Sequence, residues 1–274
     1  MPELPEVETV ARGLKKNITG LTISAVDIKK TASVFPKADS FKSRLSGAVI
    51  VDVHRRGKNI LIDLSNHQTL WIHLKMTGHF YFLPDAEPIT KHDHVVFHFK
   101  DDSRTLRFND YRRFGRLRIY PTDIIMQQTG LVDLGPEPLE ISPEEFVRLV
   151  RSRRRMIKPA LLDQSLVAGV GNIYADEALF FANIHPRRLT DSIRPKRLAE
   201  LHSHIQAVLK RAIKLMGTSV DTYTGLNGRP GRYQKYLMVY SREGEPCYAC
   251  GRPVVREKIG SRSAHFCPSC QKAK

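Results

Sequence analysis

The 274-residue sequence lacks several features that would place it at or beyond a membrane. It has no apolar run of about 18 residues or more, so it does not predict a membrane-spanning helix. Its start lacks the basic region and apolar core of a signal peptide, because Glu3, Glu6 and Glu8 stand there. No basic amphipathic helix with an aromatic face occurs, and the single tryptophan, Trp71, lies in a strand-like stretch. We therefore expect a protein without a membrane span that stays in the compartment where it is made, and these absences disfavour a membrane surface as its partner.

Cysteine is scarce, and acidic residues are outnumbered. All four cysteines fall at or after Cys247, which argues against a disulfide framework spread over the fold. The chain has 44 Lys and Arg against 28 Asp and Glu, a formal net charge of +16. This excess opposes compactness through self-repulsion and is explained most simply by a polyanionic partner, with nucleic acid the first candidate and a membrane surface the second.

The first eight residues, Met-Pro-Glu-Leu-Pro-Glu-Val-Glu, contain a candidate nucleophile. A small second residue favours removal of Met1, and Pro2 would then present a secondary amine. An α-amino group has a pKa of about 7.7 to 8.0, so part of it is unprotonated and nucleophilic near neutral pH. Glu3 and Glu6 are close enough to act as proton donor and orienting carboxylate. The alternative is that Pro2 and Pro5 only begin a helix whose positive end favours the glutamates.

The first half of the chain predicts one helix followed by short strands. Apolar residues between Glu6 and Lys16 have helical spacing, and Gly20 follows them. From about residue 21 to 120 the apolar period becomes two, which indicates a β-sandwich or barrel. The predicted strands are 48–53, 59–64, 69–74, 94–99, 105–108 and 116–120.

For each basic residue at the ends of these strands taken alone, a solvated rim is the better interpretation, but their clustering suggests a shared basic cleft. They are Arg55, Arg56, Lys58, Lys75, Lys91, Arg112 and Arg113. The triplet His92, Asp93 and His94 could hold a metal ion, but we identify no suitably placed partner ligands. We predict that it contacts phosphate or packs in the fold.

The second half of the chain, beyond a boundary near residues 133–138, is predicted to be helical. Ser142 can cap a helix, Pro143 fits its first turn, and Glu145 completes a capping box. Apolar positions with helical spacing run through 146–150, 157–166, 173–181 and 198–216, and Gly217 is placed to end the last helix.

Two glycine-containing segments in this half are candidate binding elements. A basic run ending at Lys158 precedes a turn at 167–174 that leads into a helix, where backbone N–H groups and Asn172 can hold a phosphate. This order indicates a phosphate clamp similar to a helix-turn-helix. The loop 218–231 is rich in glycine and is either a connector or a mobile lid with exposed backbone donors.

The four cysteines form two Cys-x2-Cys pairs separated by sixteen residues, which predicts a tetrahedral zinc site; disulfides are the alternative. The ligands are Cys247, Cys250, Cys267 and Cys270. Four thiolates leave no open position, so one structural Zn²⁺ is expected. Basic residues including Arg262 would let this segment present a β-hairpin to nucleic acid.

Segments along the whole chain occur in the same order as in one known family. They are residues 1–8, 91–94, 112–115, 135–138, 157–159 and 170–174, and the four-cysteine terminus. In these segments the sequence closely resembles bacterial formamidopyrimidine-DNA glycosylase. It departs slightly at Tyr111, before the Arg-Arg-Phe-Gly run, and at Arg153, where some relatives have lysine.

The resemblance implies a two-domain α+β fold with DNA in the cleft between the domains. A β-sandwich with the catalytic N-terminal helix would span 1–132, and a helical helix-two-turn-helix domain would span 133–235 and carry a zinc finger at 236–274. The implied substrate is duplex DNA with oxidised purines, chiefly 8-oxoguanine opposite cytosine and formamidopyrimidines, flipped out of the stack. We expect the enzyme to act in the bacterial cytoplasm at the nucleoid, and the simplest expectation for the oligomeric state, which stays open, is a monomer that binds one lesion.

The resemblance also assigns roles to residues. Pro2 would attack the deoxyribose C1′ and form an imine that permits β- and δ-elimination. Glu3 would be the general acid and Glu6 would position it, while Lys58 would assist β-elimination and Arg262 δ-elimination. Residues expected to contact DNA are His73, His92, Arg112, Arg153, Lys158, Asn172 and Tyr240. Met76, Arg112 and Phe114 would fill the gap left by the flipped base, and loop 218–231 would read the lesion through backbone donors.

Two alternatives to this function stay open at this point. An endonuclease VIII-like glycosylase would act on oxidised pyrimidines, although the Pro-Glu-Leu-Pro-Glu start favours the purine enzyme. A catalytically silent binder of damaged DNA would use the basic cleft and zinc finger alone, which the presence of Pro2, Glu3 and Lys58 disfavours.

Overall fold

The computed structural model describes residues 1–219 and 223–273. The chain divides into two compact units, one formed by 1–132 with 215–232 and the other by 133–214 with 233–274. Each unit is described by itself.

The described part of the first unit consists of one long helix, nine strands and short helical segments. Its α-helices are α1 (Leu4–Ile18), α2 (Ala38–Leu45) and α3 (Ile125–Gln128). Its strands are β1 (Ile23–Ile28), β2 (Val34–Phe35), β3 (Ile50–Arg56), β4 (Asn59–Leu64), β5 (Gln68–His73), β6 (His79–Pro84), β7 (Asp93–Phe99), β8 (Arg104–Asn109) and β9 (Arg116–Pro121). Single 3₁₀ turns occur at Thr31–Ser33 and Leu226–Gly228.

These strands form a β-sandwich, as the sequence predicted. One sheet has the order β2-β9-β5-β4-β3 and the other β1-β7-β8-β6. Inward residues of both sheets, such as Ile62 and Phe97, share one apolar core with the inner face of α1, including Val10 and Leu14. The sequence missed β1, β2 and β6. A register shift between Ile23 and Ala25 interrupts the alternation of β1, which explains that omission.

The segment 215–232 belongs with the first unit, which differs from the division at 133–235 expected from the sequence. Tyr223 and Leu226 pack against the sandwich core, and Asn227 Oδ1 accepts a 2.6 Å hydrogen bond from the Phe82 N–H. Because these partners lie more than a hundred positions apart, no local sequence pattern reveals them.

The described part of the second unit contains four helices and a two-stranded β-hairpin. The helices are α4 (Pro143–Arg151), α5 (Ile157–Leu162), α6 (Asn172–Phe181) and α7 (Pro195–Lys214), and the hairpin strands are β10 (Val255–Ile259) and β11 (Arg262–Phe266). Single 3₁₀ turns occur at Leu131–Asp133, Thr190–Ser192 and Tyr233–Tyr236, the first of them spanning the boundary with the first unit. Ser142 caps α4 as predicted, because its Oγ accepts the Glu145 N–H at 3.2 Å.

Helix α5 ends earlier than the predicted 166, because Asp163 leaves the helical conformation and accepts hydrogen bonds from Ser165. Across the described ranges, every helix is too short or too polar to cross a membrane.

Candidate active site

The N-terminal residues are held in the fold rather than left to fray. Pro2 is buried, and Glu3 and Glu6 are only 3% and 2% exposed. Glu3 caps α1, and its backbone N–H donates to Glu6 Oε2 at 2.9 Å. The Glu6 carboxylate, in the first turn of α1, therefore fixes the backbone of Glu3, which is next to Pro2.

The second oxygen of Glu6 is held by the segment 215–232. Glu6 Oε1 accepts the Thr218 N–H at 2.7 Å, and the Tyr223 hydroxyl donates to the Glu6 carbonyl at 3.3 Å. Gly217 has φ +80°, and a Cβ there would lie 2.7 Å from Glu6 Oε1, so only glycine fits. Burial first, and then the Glu6 charge, raise the pKa of Tyr223 far above its ordinary value. This bonding suits Glu6 to the orienting role expected of it.

Lys58 lies in the tight turn between β3 and β4, where it is 9% exposed. Arg55 ties this turn to α1, since its Nε donates to Glu8 Oε2 at 2.7 Å and its guanidinium donates to the Gly57 carbonyl at 2.9 Å. Burial raises the pKa of Glu8, but hydrogen bonds from Arg55 and Arg12 outweigh it and leave the pKa below its usual value. The turn that carries Lys58 is thereby coupled to the helix that carries Glu3.

His73 is a neutral donor at physiological pH. Burial is the largest cause that lowers the pKa of His73 to about 3, with further contributions from the charges of Lys75 and Lys58. Its Nδ1 accepts the Lys75 N–H at 3.0 Å, so the neutral ring carries its proton on Nε2. An Nε2–H group can donate to a phosphate oxygen, which agrees with the DNA contact expected of His73.

Met76, Arg112 and Phe114 lie on two loops of the first unit, 74–78 and 110–115. Met76 and Phe114 are 37% and 46% exposed, and the Arg112 guanidinium lies 5.0 Å from the Phe114 ring centroid. The Thr77 hydroxyl donates to the Asp110 carboxylate and so joins the two loops. The structure therefore joins the two loops that carry the three residues expected to fill the gap.

The triplet at 92–94 packs in the fold and does not form a metal site among the described residues. Asp93 is buried and accepts hydrogen bonds from Thr90 and Asn109, while His94 Nε2 lies 2.7 Å from the Asp110 carbonyl oxygen. His92 is half-buried, with its ring edge toward Tyr111 at 6.5 Å between centroids.

A polar pocket of about 520 Å³ in the second unit is lined by two of the residues expected to contact DNA, Asn172 and Tyr240, and by Arg262, which is expected to assist δ-elimination. Asn172 begins α6, and its Oδ1 is buried without a hydrogen-bond partner among residues 1–219 and 223–273. Arg262 is exposed at the start of β11. A guanidinium, an amide and a helix start around one pocket form a suitable site for phosphate. Glu243 and His265 also line the pocket.

Two adjacent buried acids on α6 hold the walls of this pocket. Glu177 accepts hydrogen bonds from the N–H groups of Met238, Val239 and Tyr240 at 2.8, 3.0 and 2.9 Å. Burial raises the pKa of Glu177 despite these donors. Asp176 Oδ2 accepts the His265 N–H at 2.9 Å, so α6 fixes both the 238–240 segment and strand β11.

Lys158 differs from the expectation that it contacts DNA. It is 0% exposed, its Nζ lies 2.6 Å from Asp176 Oδ1, and it donates to the Ser263 carbonyl at 2.5 Å. The position falls on the buried face of α5, which the surrounding basic run concealed. Arg153 remains available to phosphate, since it is 51% exposed although it lies 3.2 Å from Asp163.

The four cysteines converge as predicted, with all their Sγ atoms within 4.8 Å of one another. The Sγ atoms of Cys247 and Cys270 are 3.9 Å apart, and those of Cys250 and Cys267 are 3.5 Å apart. A tetrahedral ion with ligands at about 2.3 Å requires sulfur separations of about 3.8 Å. A hydrogen bond from the Arg252 N–H is the largest cause that lowers the pKa of Cys250 to about 7. The donor set fits a metal ion.

We expected exposed backbone N–H groups along loop 218–231, but several of them are hydrogen-bonded within the protein. Within its described part, the N–H groups of Thr218, Gly225 and Gly231 donate to Glu6, Arg229 and Ser219. The loop is also expected to read the lesion through backbone donors, including those of residues 220–222. These residues lie outside the described residues.

The sequence reasoning missed the residues that hold the site in place. Asp176 and Glu177 carried a signal, because two acids interrupt an otherwise apolar helix. The sequence places Arg55 only among the basic residues at strand ends, and Asp110 has no distinguishing local pattern.

Comparisons with known proteins agree with this geometry. The chain matches the family models of the formamidopyrimidine-DNA glycosylase N-terminal domain over 1–117 and H2TH domain over 134–224. It also matches the zinc finger found in FPG and IleRS over 244–273. The chain belongs to the formamidopyrimidine-DNA glycosylase family.

Relatives in this family match over their full length. The formamidopyrimidine-DNA glycosylase of Desulforamulus reducens is 45% identical, and that of Pelotomaculum thermopropionicum 43%, each with 100% of both chains covered. Among solved structures, a Lactococcus lactis FPG mutant in complex with Fapy-dG DNA has a TM-score of 0.92 and 37% identity, covering 99% of this chain and 100% of that one. A complex of the Lactococcus lactis Fpg with abasic-site DNA also has a TM-score of 0.92.

Proposed function

We propose that this glycosylase excises oxidised purines from duplex DNA, chiefly 8-oxoguanine opposite cytosine and formamidopyrimidines, and then cleaves the strand as an AP lyase. The observation that carries the proposal is the fixed arrangement at the start of α1. Pro2 and Glu3 are buried there, and Glu6 bonds the Glu3 and Thr218 N–H groups. The Lactococcus lactis complexes with Fapy-dG and abasic-site DNA support a damaged-DNA substrate.

The proposed reaction uses the amine that Pro2 presents once Met1 is removed. The amine nitrogen bonds to C1′ of the deoxyribose, the C1′–N bond to the base breaks, and Glu3 supplies a proton as general acid. The nitrogen lone pair then opens the sugar ring by breaking the C1′–O4′ bond, O4′ takes a proton, and a positively charged iminium ion remains between Pro2 and C1′. Loss of the C2′ proton then expels the 3′ phosphate, and a second elimination expels the 5′ phosphate.

Other residues would hold the DNA during these steps. His73 and Lys58 would contact phosphate near the catalytic end of the first unit. Asn172, Tyr240 and Arg262 would bind phosphate in the second unit, with Arg262 assisting δ-elimination. The net charge of +16 supports binding to a polyanion.

We infer that the four-cysteine site holds one Zn²⁺ with a structural role. The thiolate donor set and the match to a zinc-finger family support this metal. We further propose that the enzyme acts as a monomer, which light scattering of the free and DNA-bound protein would test.

The test of this function is borohydride trapping combined with excision assays on two duplexes, one with 8-oxoguanine opposite cytosine and one with thymine glycol. We expect faster excision of 8-oxoguanine and a covalent complex after reduction. Glu3→Gln should lower excision by about 10²- to 10⁴-fold. Asp39→Asn, which changes an exposed acid in the first turn of α2, serves as the matched control and should leave excision unchanged.

The outcomes separate the alternatives. A clear preference for thymine glycol would show that the proposed purine specificity is wrong. DNA binding without excision or trapping would identify a silent binder and contradict the proposed chemistry.

A further inference from the structure

The loops 74–78 and 110–115 expose large apolar side chains on an otherwise strongly basic protein. Met76, Tyr111 and Phe114 are 37%, 47% and 46% exposed, and Arg112 lies against the Phe114 ring. DNA-binding proteins commonly separate stacked bases by inserting apolar side chains between them, beside cationic side chains that contact the DNA. A wedge built from two loops works only if the loops keep a fixed distance from each other.

Asp110 bonds to both loops through one carboxylate. It is 0% exposed, and its Oδ1 accepts the Thr77 hydroxyl and, at 3.2 Å, the Arg112 N–H. Its Oδ2 accepts the Gly115 N–H at 2.7 Å. Thr77 is the neighbour of Met76 and Gly115 is the neighbour of Phe114, so each of the three donors is at or beside one member of the trio.

The backbone of Asp110 is fixed as well. Its N–H donates to the His92 carbonyl at 3.0 Å, and its carbonyl oxygen lies 2.7 Å from His94 Nε2. His94 is 0% exposed, and its β7 strand is part of the sandwich. The carboxylate is therefore anchored to the sheet and not to either loop alone.

The ring of Phe108 forms a common floor beneath both loops. A Cβ on Gly115 would lie 2.4 Å from this ring, and a Cβ on Gly78 would lie 3.0 Å from it and 2.6 Å from the Leu74 carbonyl oxygen. Both loops therefore pass the ring at a distance that only glycine permits. Both loops thus rest on the same ring, and the hydrogen bonds of the Asp110 carboxylate fix the position of one loop relative to the other.

We propose that Asp110 is a positioning residue that holds Met76, Arg112 and Phe114 as one rigid wedge, so that the two loops enter the DNA stack together. The inference rests on the proposed function, because the wedge acts on a lesion-containing duplex. Asp110 does not touch the reacting atoms. It acts through Thr77, Arg112 and Gly115, and the donors of Thr77 and Gly115 are buried with this carboxylate as their acceptor.

The test compares Thr77→Val, which keeps the shape but removes the hydroxyl, with Thr77→Ser, which keeps the hydroxyl. Thr69→Val is the matched control, since Thr69 is also buried and its hydroxyl donates to Asp63 Oδ1 at 2.7 Å away from these loops. The first readout is the fluorescence of 2-aminopurine beside a tetrahydrofuran site, which reports base unstacking on binding and needs no catalysis. The second is the single-turnover rate of 8-oxoguanine excision relative to cleavage at a preformed abasic site.

We expect Thr77→Val to lose most of the fluorescence rise. It should also lower the rate of excision about tenfold more than the rate of abasic-site cleavage. A tenfold difference is about the size expected for the loss of one hydrogen bond to a charged group. Asp110→Asn should change both readouts in the same direction. Thr77→Ser and Thr69→Val should resemble the unmodified protein. Circular dichroism of each variant verifies folding.

The inference is overturned if Thr77→Val keeps the full fluorescence rise, or if it lowers excision and abasic cleavage equally. Failure of the proposed function has a different signature, because the unmodified protein would then neither excise 8-oxoguanine nor cleave abasic DNA. The fluorescence comparison would still decide the role of the hydroxyl in that case.

Discussion

The N-terminal site and the cysteine cluster are both compact groups of functional side chains, but they are assembled in different ways. The cysteines all lie within residues 247–270, and their spacing alone brings them together. The N-terminal site depends on Glu6, whose carboxylate binds Glu3 three residues away and Thr218, 212 positions further along the chain. One site is local and the other is completed by a distant segment.

This difference determines how each site responds to damage. A metal site holds its own short segment in shape, so losing the metal should unfold that segment and everything that depends on it. The N-terminal site lies on a sandwich with its own large core, so losing one contact there should change chemistry more than stability. The following predictions test or refine this distinction.

Removing the metal should have the largest effect. Structural zinc contributes about 10–16 kcal/mol to folding in zinc-finger peptides, far more than the local fold of 247–270 can supply without it. Incubation with a strong chelator, or Cys267→Ser, should weaken DNA affinity about a hundredfold or more, as measured by fluorescence anisotropy. Restoring zinc should recover binding after chelation but not in the serine variant. Unchanged affinity would show that the hairpin does not need the metal.

The buried pair of Lys158 and Asp176 connects the hairpin of the metal segment to α5 and α6. Lys158→Met leaves Asp176 buried without its charged partner and should lower the free energy of unfolding by about 3–5 kcal/mol, measured with denaturant. Arg153→Met, which removes a half-exposed partner of Asp163, should cost about 1 kcal/mol or less. Equal losses from the two variants would contradict the assignment of Lys158 as a structural residue.

His73 provides a pH test on the first unit. Burial keeps its pKa near 3 in the folded protein, whereas the unfolded chain protonates near 6.5. Protonation therefore favours the unfolded state, and the stability is fully present above pH 6.5 and falls as the pH drops from 6.5 toward 3. Between pH 7 and pH 5, His73→Gln should lose about 2 kcal/mol less stability than the unmodified protein. Identical pH profiles would show that His73 titrates normally.

Glu6→Gln should give the smallest loss of stability and a selective loss of activity. The amide retains one oxygen, so one of the two N–H groups, that of Glu3 or that of Thr218, loses its acceptor. Excision of 8-oxoguanine should fall about tenfold, while DNA affinity stays within about twofold. A matching loss of affinity would mean that Glu6 supports the fold of the binding surface and not the geometry of Glu3.

The same distinction explains what the sequence could predict. The sandwich, the α1 helix, the Ser142 cap and the cysteine cluster follow from local period and spacing, and all of them are present. The position of 215–232, the burial of Lys158 and the contacts of Asp110 depend on partners far along the chain. The sequence of a basic run does not reveal whether one of its lysines is exposed to solvent or is buried beside an aspartate, as Lys158 is beside Asp176.

In the proposed mechanism, the amine of Pro2 becomes covalently joined to the sugar. Mass spectrometry of the borohydride-reduced complex, digested with protease and nuclease, tests it most directly. We predict that Met1 is absent and that the remnant of the deoxyribose is attached to the peptide beginning at Pro2. A remnant attached to Lys58 or any other lysine, or full trapping by protein that retains Met1, would contradict the account.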